Sequence, residues 1–308
     1  MFREVWLMTS NSIPWKSIIA LNVIVLVSAS LAVLFSYAGI FPFTSPLGLY
    51  RLLPGDILID FVWLYIISVL VGGIVYLATP HLSVLLWKTH RLVTGGKYKY
   101  SIERYEADVA YGSSIRWLIV PALASLGLTS AIVSDSSIAD SLFVTESFDS
   151  LAPSAMAIAE IMPLFFILLL VASLIGILFS PAWLLEDAGV IYERDTTGRR
   201  VTPDVQGVGH YYLGMLKGFA GLTTLLTYII VSVQTLNWFQ TLPGTIEVPL
   251  LFYVLPVVVV FIAPLLAMAP ISITFVLYKI SLARNIRVLE QKMKSYESVA
   301  VEPSSESV

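Results

Sequence analysis

The sequence predicts an all-α membrane protein with six transmembrane helices arranged as three in-out-in hairpins, and a small cytoplasmic β-hairpin in the second inner loop. Three observations predict it. The 308 residues are 57% hydrophobic and 13% charged, with a mean hydropathy of +0.84, a composition suited to a bilayer rather than to a soluble domain. Six apolar runs, at roughly 18–38, 57–79, 117–133, 161–179, 218–236 and 249–278, approach or exceed the ~20 residues that cross about 30 Å of hydrocarbon. With both ends inside, 17 of the 18 Lys and Arg residues fall on inner segments and only Arg51 falls outside. The opposite orientation inverts that bias, so the positive-inside rule sets both termini in the cytoplasm.

Residues 1–279 are expected to form one membrane domain with inner loops 88–116 and 180–217. Residues 280–297 form a cytoplasmic C-terminal helix and 298–308 a disordered tail. No stretch between the runs exceeds about 40 residues, too few to bury a core of its own. The net charge of −3 hides an asymmetry. Inner segments carry 17 basic and 13 acidic residues, or +4, and outer ones 1 basic and 8 acidic, or −7. Anionic lipid head groups suit the inner face, and nothing suggests nucleic acid. The absence of cysteine removes disulfides, zinc thiolates, iron–sulfur clusters and thiol nucleophiles. Asn and Gln number four each. Their scarcity is a thermophile trend that points to a prokaryotic plasma membrane, although membrane proteins are poor in both.

The first run follows Arg3 and Lys16 and is too long for a signal-peptide core. It is also not closed by a small-x-small cleavage site, so it reads as retained helix 1. Helix 2 starts after Gly55-Asp56 and extends to Trp87, longer than the hydrocarbon. It must therefore tilt, kink at Pro80 or emerge into the interface. In the first inner loop Tyr98, Ile102, Tyr105 and Val109 recur at helical spacing, which predicts an amphipathic interfacial helix. Helix 3 follows from about Arg116, and helix 4 begins after Pro153 and ends near Ser180-Pro181. The second inner loop reads strand over 189–194, turn at Asp195–Gly198 and strand over 199–202. Helix 5 bears Gly214, Gly218 and Gly221, which would admit another backbone closely and place this helix at the bundle centre. Helix 6 contains Pro249, Pro256, Pro264 and Pro270, which argue against a straight regular helix. The polar helix after it repeats Ile286, Leu289, Met293 and Tyr296. Thr79-Pro80, Ser180-Pro181 and Ala269-Pro270 recur in the three returning helices. The intervals, 101 and 89 residues, differ and little else aligns, so chance is the expectation.

Few residues could carry chemistry. Asp60 and Glu160 lie near the outer ends of helices 2 and 4, where water or a helix N-terminus satisfies them; the sharper reading is a cation or proton entry. Thr224, Thr227 and Gln234 of helix 5 could line a polar path. His81, His90 and His210 all sit near the inner face, poorly placed for axial haem ligation. Glu186, Asp187, Asp204 and His210 fit no standard metal spacing, and no nucleophile elbow, P-loop or metalloprotease helix occurs. No cofactor is expected. Arg199 and Arg200 serve as topology anchors or hold a lipid head group. With Ile286, Leu289 and Met293, they make a candidate contact surface for partners or lipid.

Three functions follow in order. The first is a non-catalytic membrane subunit or scaffold that binds membrane or cytoplasmic proteins, or itself, on the inner face. The second is a passive channel or transporter for a small or neutral solute, favoured by the proline-broken helices. The third is a lipid-acting enzyme resting only on Glu186, Asp187 and His210. Enzymatic activity is the least supported.

Overall fold

The computed structural model describes residues 13–37, 57–95, 98–102, 116–134, 153–194, 204–241 and 249–301. Six helices and three strands alternate along them. They are α1 (Trp15–Tyr37), α2 (Ile57–Val93), β1 (Tyr98–Ile102), α3 (Arg116–Ser134), α4 (Pro153–Asp187), β2 (Val190–Arg194), β3 (Asp204–Gly207), α5 (Val208–Thr241) and α6 (Pro249–Val301). Among the described residues, the helices containing Val62–Val93, Ile167–Asp187, Val208–Val233 and Val260–Tyr296 are long and apolar enough to cross a membrane. The described apolar parts of α1 and α3, Trp15–Val27 and Trp117–Ile132, are shorter. The chain is therefore an all-α, membrane-type protein carrying a small sheet.

Prolines do not interrupt the long helices. Pro80 lies inside the 37 residues of α2, and α6 continues for 53 residues through Pro256, Pro264 and Pro270. Each interior proline leaves the carbonyl four residues earlier without its helical donor, and neighbouring groups can answer that loss.

The three returning helices α2, α4 and α6 form the tightest part of the bundle. Ser68 Oγ meets Ser173 Oγ at 2.9 Å, and Thr79 Oγ1 meets Ser180 Oγ at 2.9 Å. Ser83 Oγ donates to the Pro181 carbonyl at 3.0 Å. The small-residue–proline pairs of α2 and α4 thus face each other, so that part of the recurrence serves packing. The third pair, Ala269-Pro270, is fully buried in α6. The two helices also end alike. Gly95 and Gly189 adopt φ of 64° and 65°, the left-handed conformation that closes a helix, and a strand follows each.

Helix α5 is not central. The most apolar stretch of α4 is 72% buried, and that of α5 only 17%. Gly214, Gly218 and Gly221 lie on the open side, where an added Cβ would meet nothing within 4 Å. Their spacing made a face of small residues legible, but the direction of that face depends on the other helices. Close approach occurs elsewhere. A Cβ on Gly127 would strike the Thr223 side chain, one on Gly176 would strike Thr274, and one on Gly209 would strike the Glu186 backbone.

The sheet has order β1-β2-β3 and is antiparallel throughout. Tyr100 pairs with Tyr192, and Tyr192 with Gln206. Two expectations change here. Residues 98–102 form a strand instead of the start of an amphipathic helix, because Tyr98, Tyr100 and Ile102 also share a face at a period of two. Residues 103–109 lie outside the described residues. The strand partner of β2 is 204–207 rather than 199–202, so the connection is longer than a tight turn.

Thermal unfolding in detergent separates the two glycine classes. Gly127→Leu and Gly176→Leu should each destabilise the bundle by about 1–3 kcal/mol through overpacking. Gly218→Leu should change stability within about 0.5 kcal/mol, as exposed substitutions do. The reverse order of effects would place α5 back in the centre.

Candidate functional site

Opposite charges meet where the last residue of α4 lies against the middle of α6. Asp187, the last residue of α4, accepts through Oδ2 from Lys279 Nζ at 2.8 Å and from the Tyr278 hydroxyl at 2.6 Å. The side chains of Lys279 and Asp187 are only 4% and 16% exposed. The Lys279 ammonium also lies 5.7 Å from the Trp117 ring centre and 5.6 Å from those of Phe275 and Tyr278. Ring faces supply attraction to a cation where water is scarce. Below this pair Ser281 Oγ donates to the Tyr278 carbonyl, and Asn285 Nδ2 donates to Ser281 Oγ. The cluster joins α3, α4 and α6 at one level.

A second cluster centres on His90, which lies beyond the apolar run ending at residue 79. Its Nδ1 is 2.9 Å from the Tyr100 hydroxyl, which is also 3.1 Å from Thr94 Oγ1. The rings of Tyr100, Tyr192, Tyr211 and Tyr212 surround the imidazole at 4.6–6.2 Å. Tyr98 stacks on Tyr192 at 5.1 Å. Tyr192 donates to Gln206 Oε1 at 2.6 Å, and Tyr212 to the Leu86 carbonyl at 2.9 Å. Burial raises the pKa of Tyr100, which keeps its hydroxyl protonated. The cluster binds the end of α2, the sheet and the start of α5 into one head.

The C-terminal part of α6 closes the head from the other side. Tyr296 meets Trp87 edge to face at 5.6 Å, with Lys88 Nζ 4.2 Å above its ring. Leu289 and Met293 are buried in the same core as Trp87, and Ile286 packs against it. This corrects the expectation that Ile286, Leu289 and Met293 offer a docking surface. Their periodicity marks a buried face, and the partner is the long α2 of the same chain.

The other candidate residues separate. Glu186 lies 3.8 Å from His210 Nδ1, but Asp187 turns to Lys279 and Tyr278. The three residues of the lipid-enzyme reading therefore do not converge. Among the described residues no group of three His, Cys, Asp or Glu could hold a metal. Thr224 donates to Ala220 O at 2.6 Å and Thr227 to Thr223 O at 2.9 Å, so both hydroxyls are spent on their own helix. Asp60, Glu160 and Gln234 belong to α2, α4 and α5, but their side chains lie outside the described residues. So do Arg199 and Arg200 altogether.

Sequence reading passed over Lys279 and Tyr278 as a helix end. The available signal was an acidic pair, Glu186-Asp187, closing one returning helix and a lysine closing another. It also missed the tyrosines, whose signal was the alternation Tyr98, Tyr100 and the doublet Tyr211-Tyr212.

Comparison with protein-family models, with curated proteins and with solved structures finds no match for this chain.

The ion pair is testable by a double-mutant cycle in thermal unfolding. Lys279→Met or Asp187→Asn alone should cost about 3–5 kcal/mol, because each leaves a buried charge alone. The double variant should cost clearly less than the sum. Additive single effects would show that the two groups do not depend on each other.

Proposed function

We propose that this chain is a non-catalytic integral membrane subunit or scaffold. It crosses a prokaryotic plasma membrane six times, with both termini and the sheet-capped head in the cytoplasm. The orientation rests on the 17-to-1 distribution of Lys and Arg. The head binds other membrane or cytoplasmic proteins, or a second copy of the chain.

One observation carries the reading: the described residues of α1, α2, α4 and α6 pack closely where these helices meet. The void lined by Val25, Leu64, Tyr65, Ser68, Leu169 and Pro270 has a volume of only about 10 Å³, room for about one water. The hydroxyls of Ser68, Ser173, Thr224 and Thr227 each bond back to a carbonyl of their own helix. What the chain offers a partner lies at the basic end. Leu92 and Val93 at the tip of α2 are 81% and 74% exposed, beyond the apolar run and beside the Gly95 turn. Arg199 and Arg200 of the β2–β3 connection are further candidates on that side.

Reconstitution tests this. Liposomes containing the purified protein should pass a small neutral solute such as glycerol no faster than empty ones. In native membranes, cross-linking from the head should join it to another protein or a second copy, and Leu92→Ser with Val93→Ser should weaken that product. Solute flux well above the empty-liposome rate would replace this reading with the passive channel.

A further inference from the structure

The exposed side of α6 changes character within one turn. Phe261, Ile262, Leu265 and Ile280 are exposed and apolar. The next exposed positions are Arg284, Arg287, Gln291 and Lys294. Arg284 is therefore the first charge after the apolar band.

Its side chain reaches back across the seam to α2. Nη1 donates to the Tyr76 carbonyl at 3.3 Å, and the guanidinium carbon lies 4.4 Å from the Tyr76 ring centre. Tyr76 is the residue whose carbonyl Pro80, four positions on, cannot serve. Arg284 supplies the missing donor and is held at the apolar edge by doing so. A guanidinium has five N–H groups, and this bond uses one.

Among the described residues no carboxylate is paired with Arg284; Asp187 pairs with Lys279 and Glu186 with His210. The wall toward the apolar band is Tyr76, Leu77 and Ile280, all exposed. Gly73 opens it further, since a Cβ there would meet nothing within 4 Å. A fixed cation with free donors beneath an open apolar wall fits one ligand chemistry: a phosphate whose alkyl chains run along that wall. Guanidinium groups match phosphate oxygens in pairs.

We propose that Arg284, with Arg287 one turn further, binds the phosphate of an anionic phospholipid in the leaflet at the basic end. The site is independent of whether the head docks a partner.

The test uses the full chain in non-ionic detergent, following thermal unfolding with added phosphatidylglycerol, phosphatidylcholine or inorganic phosphate. Phosphatidylglycerol should raise the midpoint clearly more than phosphatidylcholine does, and inorganic phosphate should not reproduce the difference. Arg284→Gln with Arg287→Gln should abolish the difference, and Lys294→Gln should keep it. Each variant is compared with itself with and without lipid, because loss of Arg284 also uncaps the Tyr76 carbonyl. Should the double variant fail to fold, Arg284→Lys keeps the charge but not the paired geometry, and should lower the difference by at least about half. Equal shifts from the two lipids, a full shift from inorganic phosphate, or an unchanged difference in these Arg variants would overturn the proposal.

Discussion

Hydrocarbon offers no hydrogen bonds, so every polar group carried into the bundle must find its partner within the chain. That constraint organises the rest. Ser68, Ser125, Thr129 and Ser173 each donate to a carbonyl one turn back at 2.8 Å. When Ser68 instead turns its one hydroxyl proton to Ser173 Oγ, 2.9 Å away, it links α2 to α4. Prolines are tolerated because donors from outside the helix can serve the carbonyls they abandon, as Arg284 serves Tyr76. The pairing is not complete: Asn22 Oδ1, Tyr65 Oη, Trp87 Nε1, Thr274 Oγ1 and Asn285 Oδ1 are buried without a hydrogen-bond partner among the described residues. Such orphans cost free energy, so the tight packing around them must compensate.

The same constraint moves charge to one end. Lys279 and Asp187 neutralise each other where the apolar segments stop, and the surrounding rings replace water around the ammonium. One level further, tyrosine rings enclose the His90 imidazole. These two clusters and the Trp87–Tyr296 contact tie α2, α4, α5 and α6 to the sheet. The head is therefore built onto the bundle rather than hung from it. Among the described residues, the void where α1, α2, α4 and α6 meet is no larger than about 10 Å³, while Leu92 and Val93 stand exposed at the tip of α2.

Much of this was legible beforehand. Apolar runs marked the helices, and a strand ahead of the Asp195–Gly198 turn signal marked β2. The rest depended on contacts between distant segments. Residues 98–102 satisfy both a helical and a strand period, and only the presence of β2 decides between them. Gly214, Gly218 and Gly221 announce a face without saying whether a helix or lipid covers it. Ile286, Leu289 and Met293 announce an apolar stripe, and nothing local reveals that α2 continues far enough to cover it. The aspartate and lysine that pair are 92 residues apart in sequence, beyond any motif. Candidate sites read least well, because Asp187, Lys279 and His90 owe their properties to burial that assembly alone creates.

The cysteine-free chain lets solvent access to the packed α2–α4 seam be measured position by position. Ser173→Cys and Ser180→Cys place thiols on the α2–α4 seam, and Leu92→Cys places one at the exposed tip of α2. A membrane-impermeant, water-soluble thiol reagent applied to the purified protein should modify the cysteine at 92 readily and leave those at 173 and 180 unmodified until the protein is denatured. Modification at 173 or 180 at a rate comparable to that at 92 would show water inside the bundle and contradict the account.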